Sequence, residues 1–166
     1  VVDANILIDY AVADTSILNL ASRFVGTIHI PRSILEEVSQ LGETDCDRLD
    51  LRIVDASLDQ IQEAVGGSGR LSFNDRVCLI LARDSGWTCL TNDRALRKAG
   101  DDIAVPVLWG LELMLELIAI GQLTAESALQ VARGIQSANP RHITAEILDR
   151  FERKALPTTP PKPAAR

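Results

Sequence analysis

Four carboxylates, Asp3, Glu37, Asp75 and Asp93, sit where an α/β fold could gather them, and gathered they would do metal chemistry. Asp3 closes the short apolar run Val1-Val2. Asp93 follows two residues after an apolar run ending at Thr91. Ligands of open α/β sheets bind beyond the carboxyl ends of the strands, so acids at those ends face the same space. Glu37 and Asp75 fall on helical segments beside that edge: Glu37 two turns into its helix, Asp75 in the first turn of its own. Carboxylates brought close raise one another's pKa. Divalent cations relieve that repulsion, and an all-oxygen donor set selects Mg²⁺ or Mn²⁺. Two such ions about 3.5–4 Å apart stabilise the attacking and leaving oxygens of an in-line displacement at phosphorus.

Each acid also has a plainer reading. Asp3 suits a strand-end turn, Asp75 the positive end of a helix dipole, Asp93 an N-cap, and Glu37 a solvated helix face beside Glu36. Taken singly, the plainer readings are the commoner ones, so the functional case needs the strings around these residues.

The elements that must position the acids follow from periodicity and punctuation. Helices are expected over 5–12, 16–24, from Pro31 to about 41, over 57–65 and over 73–85, with Ser57 and Ser72 as caps and Gly86 as a stop. Short strands are expected at 1–3, 27–30, 51–54, 87–91 and 104–108. The stretch GETDCDRLD reads as polar and turn-like, and GGSG as a loop. A short helix is expected over 94–99. Helices over 111–120, 124–137 and 144–155 would pack as an appendage. Strands alternating with helices imply a parallel sheet with helices on both faces. The whole of 1–156 reads as one domain, core 1–108 and helical extension 109–156. The proline-rich end, 157–166, reads as a disordered tail.

Composition narrows the field. The 166 residues are 46% hydrophobic and 24% charged, enough for one ordered core. A net charge of −6 argues against a broad basic nucleic-acid face, although acidic metal ligands make a metal-free chain look acidic. Three cysteines without a C-x-x-C pair suggest neither a disulfide framework nor a thiolate zinc site. The most apolar stretch, 105–120, is interrupted by Glu112 and Glu116 and reads as an amphipathic helix. No signal peptide or membrane span is expected, and the cytoplasm is the expected compartment.

Other features carry less. GGSGRLS lacks the G-K-[ST] ending of a phosphate-binding loop. Asp3-Ala4-Asn5 could suggest a metal-dependent phosphatase with an aspartyl nucleophile, but Asn5 cannot serve as the general acid two positions on. His29 and His142 are isolated, and His29 reads as structural. Arg70, Arg76, Arg94 and Arg97 lie near the expected site edge and could bind phosphates. Trp87 and Trp109 read as core.

The strings around the acids resemble those of PIN-domain nucleases. VVDANILIDY resembles the opening block, IPRSILEEV the second, and LSFNDRVCLILARDSGWTCLTNDRALRKAG the third and fourth together. The four blocks occur in order between about residues 1 and 107. The helices after Leu108, with ANPRHITAEILDRF, resemble the C-terminal part of PIN proteins related to VapC-type toxins. The resemblance implies a three-layer α/β/α fold with a central parallel sheet and extra C-terminal helices. It implies a metal-dependent endoribonuclease, often the toxin of a toxin–antitoxin pair. Asp3, Glu37, Asp75 and Asp93 would be the Mg²⁺ or Mn²⁺ ligands, with Asn5 and Thr91 orienting carboxylates or the attacking water. An RNA substrate, a cognate antitoxin and a homodimer are the partners it suggests. A catalytically silent PIN-like module that binds RNA or protein is the competing reading.

Overall fold

The computed structural model describes residues 1–67 and 69–156. It is a mixed α/β structure, 61% helical, with two short parallel sheets of two strands each. The expected tail, 157–166, lies outside the described residues, as does one residue of the GGSG loop.

Caps decide where the helices begin and end. Asp3 opens α1 (Ala4–Ala13), and α2 (Ser16–Phe24) follows directly. Ser57 and Gln60 exchange side-chain and backbone hydrogen bonds at the start of α5 (Leu58–Gly66), and Ser72 and Asp75 do the same for α6 (Phe73–Ser85). Such reciprocal boxes satisfy two N–H groups that a helix start leaves unpaired. Gly86, at φ 68°, ends α6 in the left-handed region. There the Trp87 N–H reaches back to the Ala82 carbonyl at 2.9 Å, which closes the helix without a Cβ clash.

Strands β1 (His29–Pro31) and β2 (Arg52–Val54) pair in parallel, as do β3 (Cys89–Leu90) and β4 (Val107–Leu108). Segment 1–3 touches both pairs. The Val2 N–H donates to the His29 carbonyl at 3.1 Å, the Leu90 N–H to the Val1 carbonyl at 2.7 Å, and the Asp3 N–H to the Leu90 carbonyl at 3.1 Å. Asp3 thus emerges at the carboxyl end of the strand-like segment, one residue along from its bridge to β3.

Three expectations need correction. The helix expected from Pro31 to about 41 is one turn, α3 (Arg32–Leu35), with Glu36 as its C-cap. The following N–H groups of Glu37 and Val38 bond to carbonyls three residues back, a tightening that unwinds the helix. Glu37 therefore lies beyond the helix instead of two turns into it. The GETDCDRLD stretch contains α4 (Glu43–Arg48), in which an Asp45 oxygen accepts the Gly42 N–H at 3.0 Å and Cys46 is fully buried. Acids in its first turn and Arg48 in its last match the helix dipole.

The third correction concerns α8 (Gly110–Ala119), α9 (Ala125–Ala138) and α10 (Ala145–Ala155), which are not an appendage. Leu113, Met114 and Leu117 of α8 and Leu129, Ala132 and Ile135 of α9 belong to the same buried cluster as Ile6, Leu7 and Tyr10 of α1. α9 packs on α1, and α8 on α2. The expected short helix after β3 is α7 (Arg94–Asp102). Cys46, Cys78 and Cys89 are buried free thiols, and His29 stacks on Trp87 at 3.8 Å between ring centres. Among the described residues no helix is long and apolar enough to cross a membrane.

Candidate functional site

Asp3 is fixed at the junction of segment 1–3 and α1. Its Oδ1 accepts the Ile6 N–H at 2.9 Å, and its Oδ2 accepts the Thr91 hydroxyl. The side chain suits this cap because the first turn presents unpaired N–H groups and a positive dipole end. It is also 3% exposed, which is costly for a charge. Burial pushes the carboxyl from the ordinary 3.8 up to about 6. The hydrogen bonds from Thr91 and Ile6 oppose that rise, and the negative charges of Asp75 and Asp9 add to it.

Thr91, 1% exposed, joins two of the acids. Its hydroxyl donates to Asp3 and accepts the Asp93 N–H at 2.9 Å. Asp93 then caps α7, its Oδ1 accepting the Ala95 and Leu96 N–H groups at 2.7 and 2.8 Å. Asp75 is half-buried in the first turn of α6, where Oδ2 accepts the Ser72 N–H at 2.8 Å. The plainer readings of Asp75 and Asp93 as helix-start acids are therefore met in the geometry, and Asp3, expected as a strand-end turn residue, is the N-cap of α1. They do not exhaust these side chains, because an ionised carboxylate offers about four lone-pair sites.

Glu37 is exposed on the turn after α3, and Asn5 is half-buried in the first turn of α1. Asn74, next to Asp75, is buried, and its Nδ2 donates to the Ser33 carbonyl of α3 at 3.4 Å. Its Oδ1 is buried without a hydrogen-bond partner. An orphaned amide oxygen costs about 1–3 kcal/mol, and it adds a neutral oxygen donor to the chain beside Asp75.

The sequence reading missed Asp9. It is 4% exposed inside α1 and accepts the side-chain amides of Asn92 at 3.1 Å and Asn139 at 2.9 Å. Burial raises its pKa, while those amides and the charge of His142 oppose the rise. Asn92 in turn accepts the Gly110 N–H at 3.0 Å, and the Tyr10 hydroxyl donates to the Gly110 carbonyl at 2.5 Å. A Cβ on Gly110 would meet Ile6 Cδ1 at 2.5 Å and the Asn92 amide nitrogen at 3.0 Å, so a side chain here would make those neighbours shift. The available signal was spacing: Asp9 stands three residues after Ile6, on the apolar stripe of its helix.

The chain matches no family model, no curated protein and no solved structure. The likeness to PIN-domain nucleases rests on the four sequence blocks alone.

The test of fit to a divalent cation divides the four acids. Asp3 and Asp75 suit one in donor chemistry: oxygen donors, the charge of Asp75 acting on Asp3, and lone pairs beyond the capping bonds. The set of four is not gathered. Among the described residues no group of three or more His, Cys, Asp or Glu side chains could hold one ion.

Proposed function

We propose that this chain is a metal-dependent endoribonuclease of PIN-like type, with Asp3 and Asp75 as its anchoring carboxylates. The observation that supports this reading is the burial of a capped carboxylate, Asp3, at the carboxyl end of a parallel β segment, with the negative charge of Asp75 adding to the cost of ionising it. At neutral pH a carboxyl held near 6 is mostly ionised in spite of its burial, and a bound cation would offset the cost of that charge. In the same reading the two strand pairs and segment 1–3 form one parallel sheet, ordered β2, β1, segment 1–3, β3, β4. The hydrogen bonds from Val2 to β1 and between segment 1–3 and Leu90 support that order.

Mg²⁺ or Mn²⁺, when bound, would supply Lewis-acid and water-activating chemistry at a phosphodiester. Asp3 and Asp75 would hold it. Thr91 keeps the Asp3 carboxylate oriented by donating to Oδ2, and the same hydroxyl sets the Asp93 backbone. Asp93 and Glu37 enter as supporting carboxylates. Asn5 is a positioning residue at the start of α1. An RNA substrate, a cognate antitoxin and a homodimer in the cytoplasm belong to the same proposal.

The test is cleavage of single-stranded RNA by the full chain with Mg²⁺ or Mn²⁺, set against the same reaction in EDTA. Asp3→Asn and Asp75→Asn should each abolish metal-dependent cleavage while the circular dichroism spectrum is kept. Undiminished cleavage by either variant, or by the wild type in excess EDTA, refutes the reading.

A specific observation favours a second reading, a catalytically silent PIN-like binding module. Asp93 is engaged as a cap, Glu37 is exposed beyond α3, and three acids do not converge. Calorimetric titration with Mn²⁺ that gives no heat, together with RNA left uncleaved, would select it.

A further inference from the structure

A groove of about 510 Å³ lies between α7, α8 and α10. Its rim carries Arg94, Arg97, Lys98, Arg150 and Lys154 against Asp101 and Glu112, a local +3 in a chain whose net charge is −6. Lys154 pairs with Glu112 at 3.0 Å. Arg94, Arg97, Lys98 and Arg150 make no ion pair among the described residues, although the chain has more acids than bases. Four unpaired cations, three from α7 and one from α10, repel one another, and a negative ligand would relieve that repulsion.

The floor is apolar. Leu111 and Leu115 come from α8 at a spacing of four, and Ile147 and Phe151 from α10 at the same spacing, with Ile143 ahead of them. Leu115 and Ile147 are half-buried, so part of this floor faces the groove. Trp109 stands at one side, and Arg97 lies over its ring at 5.0 Å. A nucleic-acid strand would want an open aromatic face for base stacking, and here the guanidinium is set over one.

We propose that this groove docks an acidic, amphipathic helical segment of a partner protein, with one or two large aliphatic side chains on the floor and glutamates or aspartates against the rim. Paired i, i+4 apolar positions on α8 and α10 match the anchors of a helix laid in a groove, and the rim charge matches its flanks. The groove also abuts the candidate site: Asn92 lines it while holding Asp9, and Asp93 is the next residue. Nothing in this docking requires the chain to cleave RNA.

The probe is a fluorescein-labelled peptide of about 15 residues, near the length at which an isolated helix becomes marginally stable. It carries leucines four apart flanked by glutamates, and its binding to the full chain is followed by anisotropy. We expect saturable binding, lost when the leucines become serines. Arg97→Glu with Arg150→Glu should weaken it at least about tenfold. Arg23→Glu with Arg52→Glu, the same charge change away from the groove, should leave it unchanged, thermal melts confirming that both variants fold. No binding up to about 1 mM, the weak limit of specific association, overturns the proposal, as does equal weakening by both double variants. Fluorescein-labelled oligouridylate in EDTA that binds the wild type, and loses binding only in the groove variant, assigns the groove to nucleic acid and overturns it too.

Discussion

Replacing Asp3 by asparagine should stabilise the metal-free protein, and by an amount that depends on pH. Asp3 titrates at about 6 in the fold against an ordinary 3.8. At 1.36 kcal/mol for each step of one in pKa, keeping it ionised in the folded state costs about 3 kcal/mol at neutral pH. The folded value lies above the unfolded one, so the folded state holds the proton more tightly. Below 3.8 both states are protonated and Asp3 adds no penalty. As pH rises from 3.8 to about 6 the penalty builds, and above that it is constant.

Asparagine carries no charge and is as good an N-cap as aspartate, so the Ile6 N–H keeps its acceptor. Its amide would face the Thr91 hydroxyl, which can turn to accept. Allowing for that rearrangement, the net gain is about 1–3 kcal/mol, or roughly 2–12 °C in Tm for a chain of this size. Thermal melts of both proteins in EDTA, from about pH 4 to pH 8, measure it. The two Tm values should coincide near the acid end and separate with the variant above. A Tm difference that stays constant over that range refutes the burial argument. Mg²⁺ should then raise the wild type alone, by about 2.7 kcal/mol at a hundredfold excess over Kd. An equal rise in both proteins would remove Asp3 from any metal site.

Further outcomes follow from the same contacts. Thr91→Val should leave the Asp3 oxygen and the Asp93 N–H without their shared partner and cost about 1–3 kcal/mol; a urea melt with unchanged midpoint contradicts the linkage. Asp93→Ala should cost about 1 kcal/mol and Asp93→Ser should recover most of it; failure of serine to recover stability would show that Asp93 does more than cap α7. Gly110→Ala should destabilise by about 1–3 kcal/mol through overpacking against Ile6 and Asn92, read as a lowered Tm; a neutral result would mean the hub has room that the 2.5 Å approach denies.

Local chemistry explains which parts of this fold were legible. The bounds of α6 were predictable because its ends are written in single residues: Ser72 and Asp75 form a reciprocal cap, and Gly86 takes a conformation other residues avoid. α3 was overread because its apolar positions Ile34, Leu35 and Val38 continue a helical spacing after the backbone has tightened and stopped. α4 was hidden by polar residues that look like a turn but also charge both helix ends correctly, and its burial rests chiefly on Cys46. At the site, Asp3 and Thr91 were legible from their positions at strand ends. The exposed Glu37 was misplaced with its helix. Asp9 was passed over because its partners, Asn92 and Asn139, are remote in sequence, and no local pattern announces them.

The clamp of Asp9, Tyr10, Asn92, Gly110 and Asn139 bears on how the chain folds as it is made. Asp9 and Tyr10 lie in the first helix, but their partners are separated from them by 83, 100 and 130 residues. At about 5–20 residues per second of synthesis, the last of these partners emerges roughly 6–26 s after Asp9. Until then a carboxylate and a phenol destined for the interior have only water, and α1 cannot seat its apolar face without burying them unpaired. α1 should therefore dock late, which leaves Ile6 and Leu7 exposed while the 130 residues from Asp9 to Asn139 are made, a period in which a holding chaperone would find its binding site.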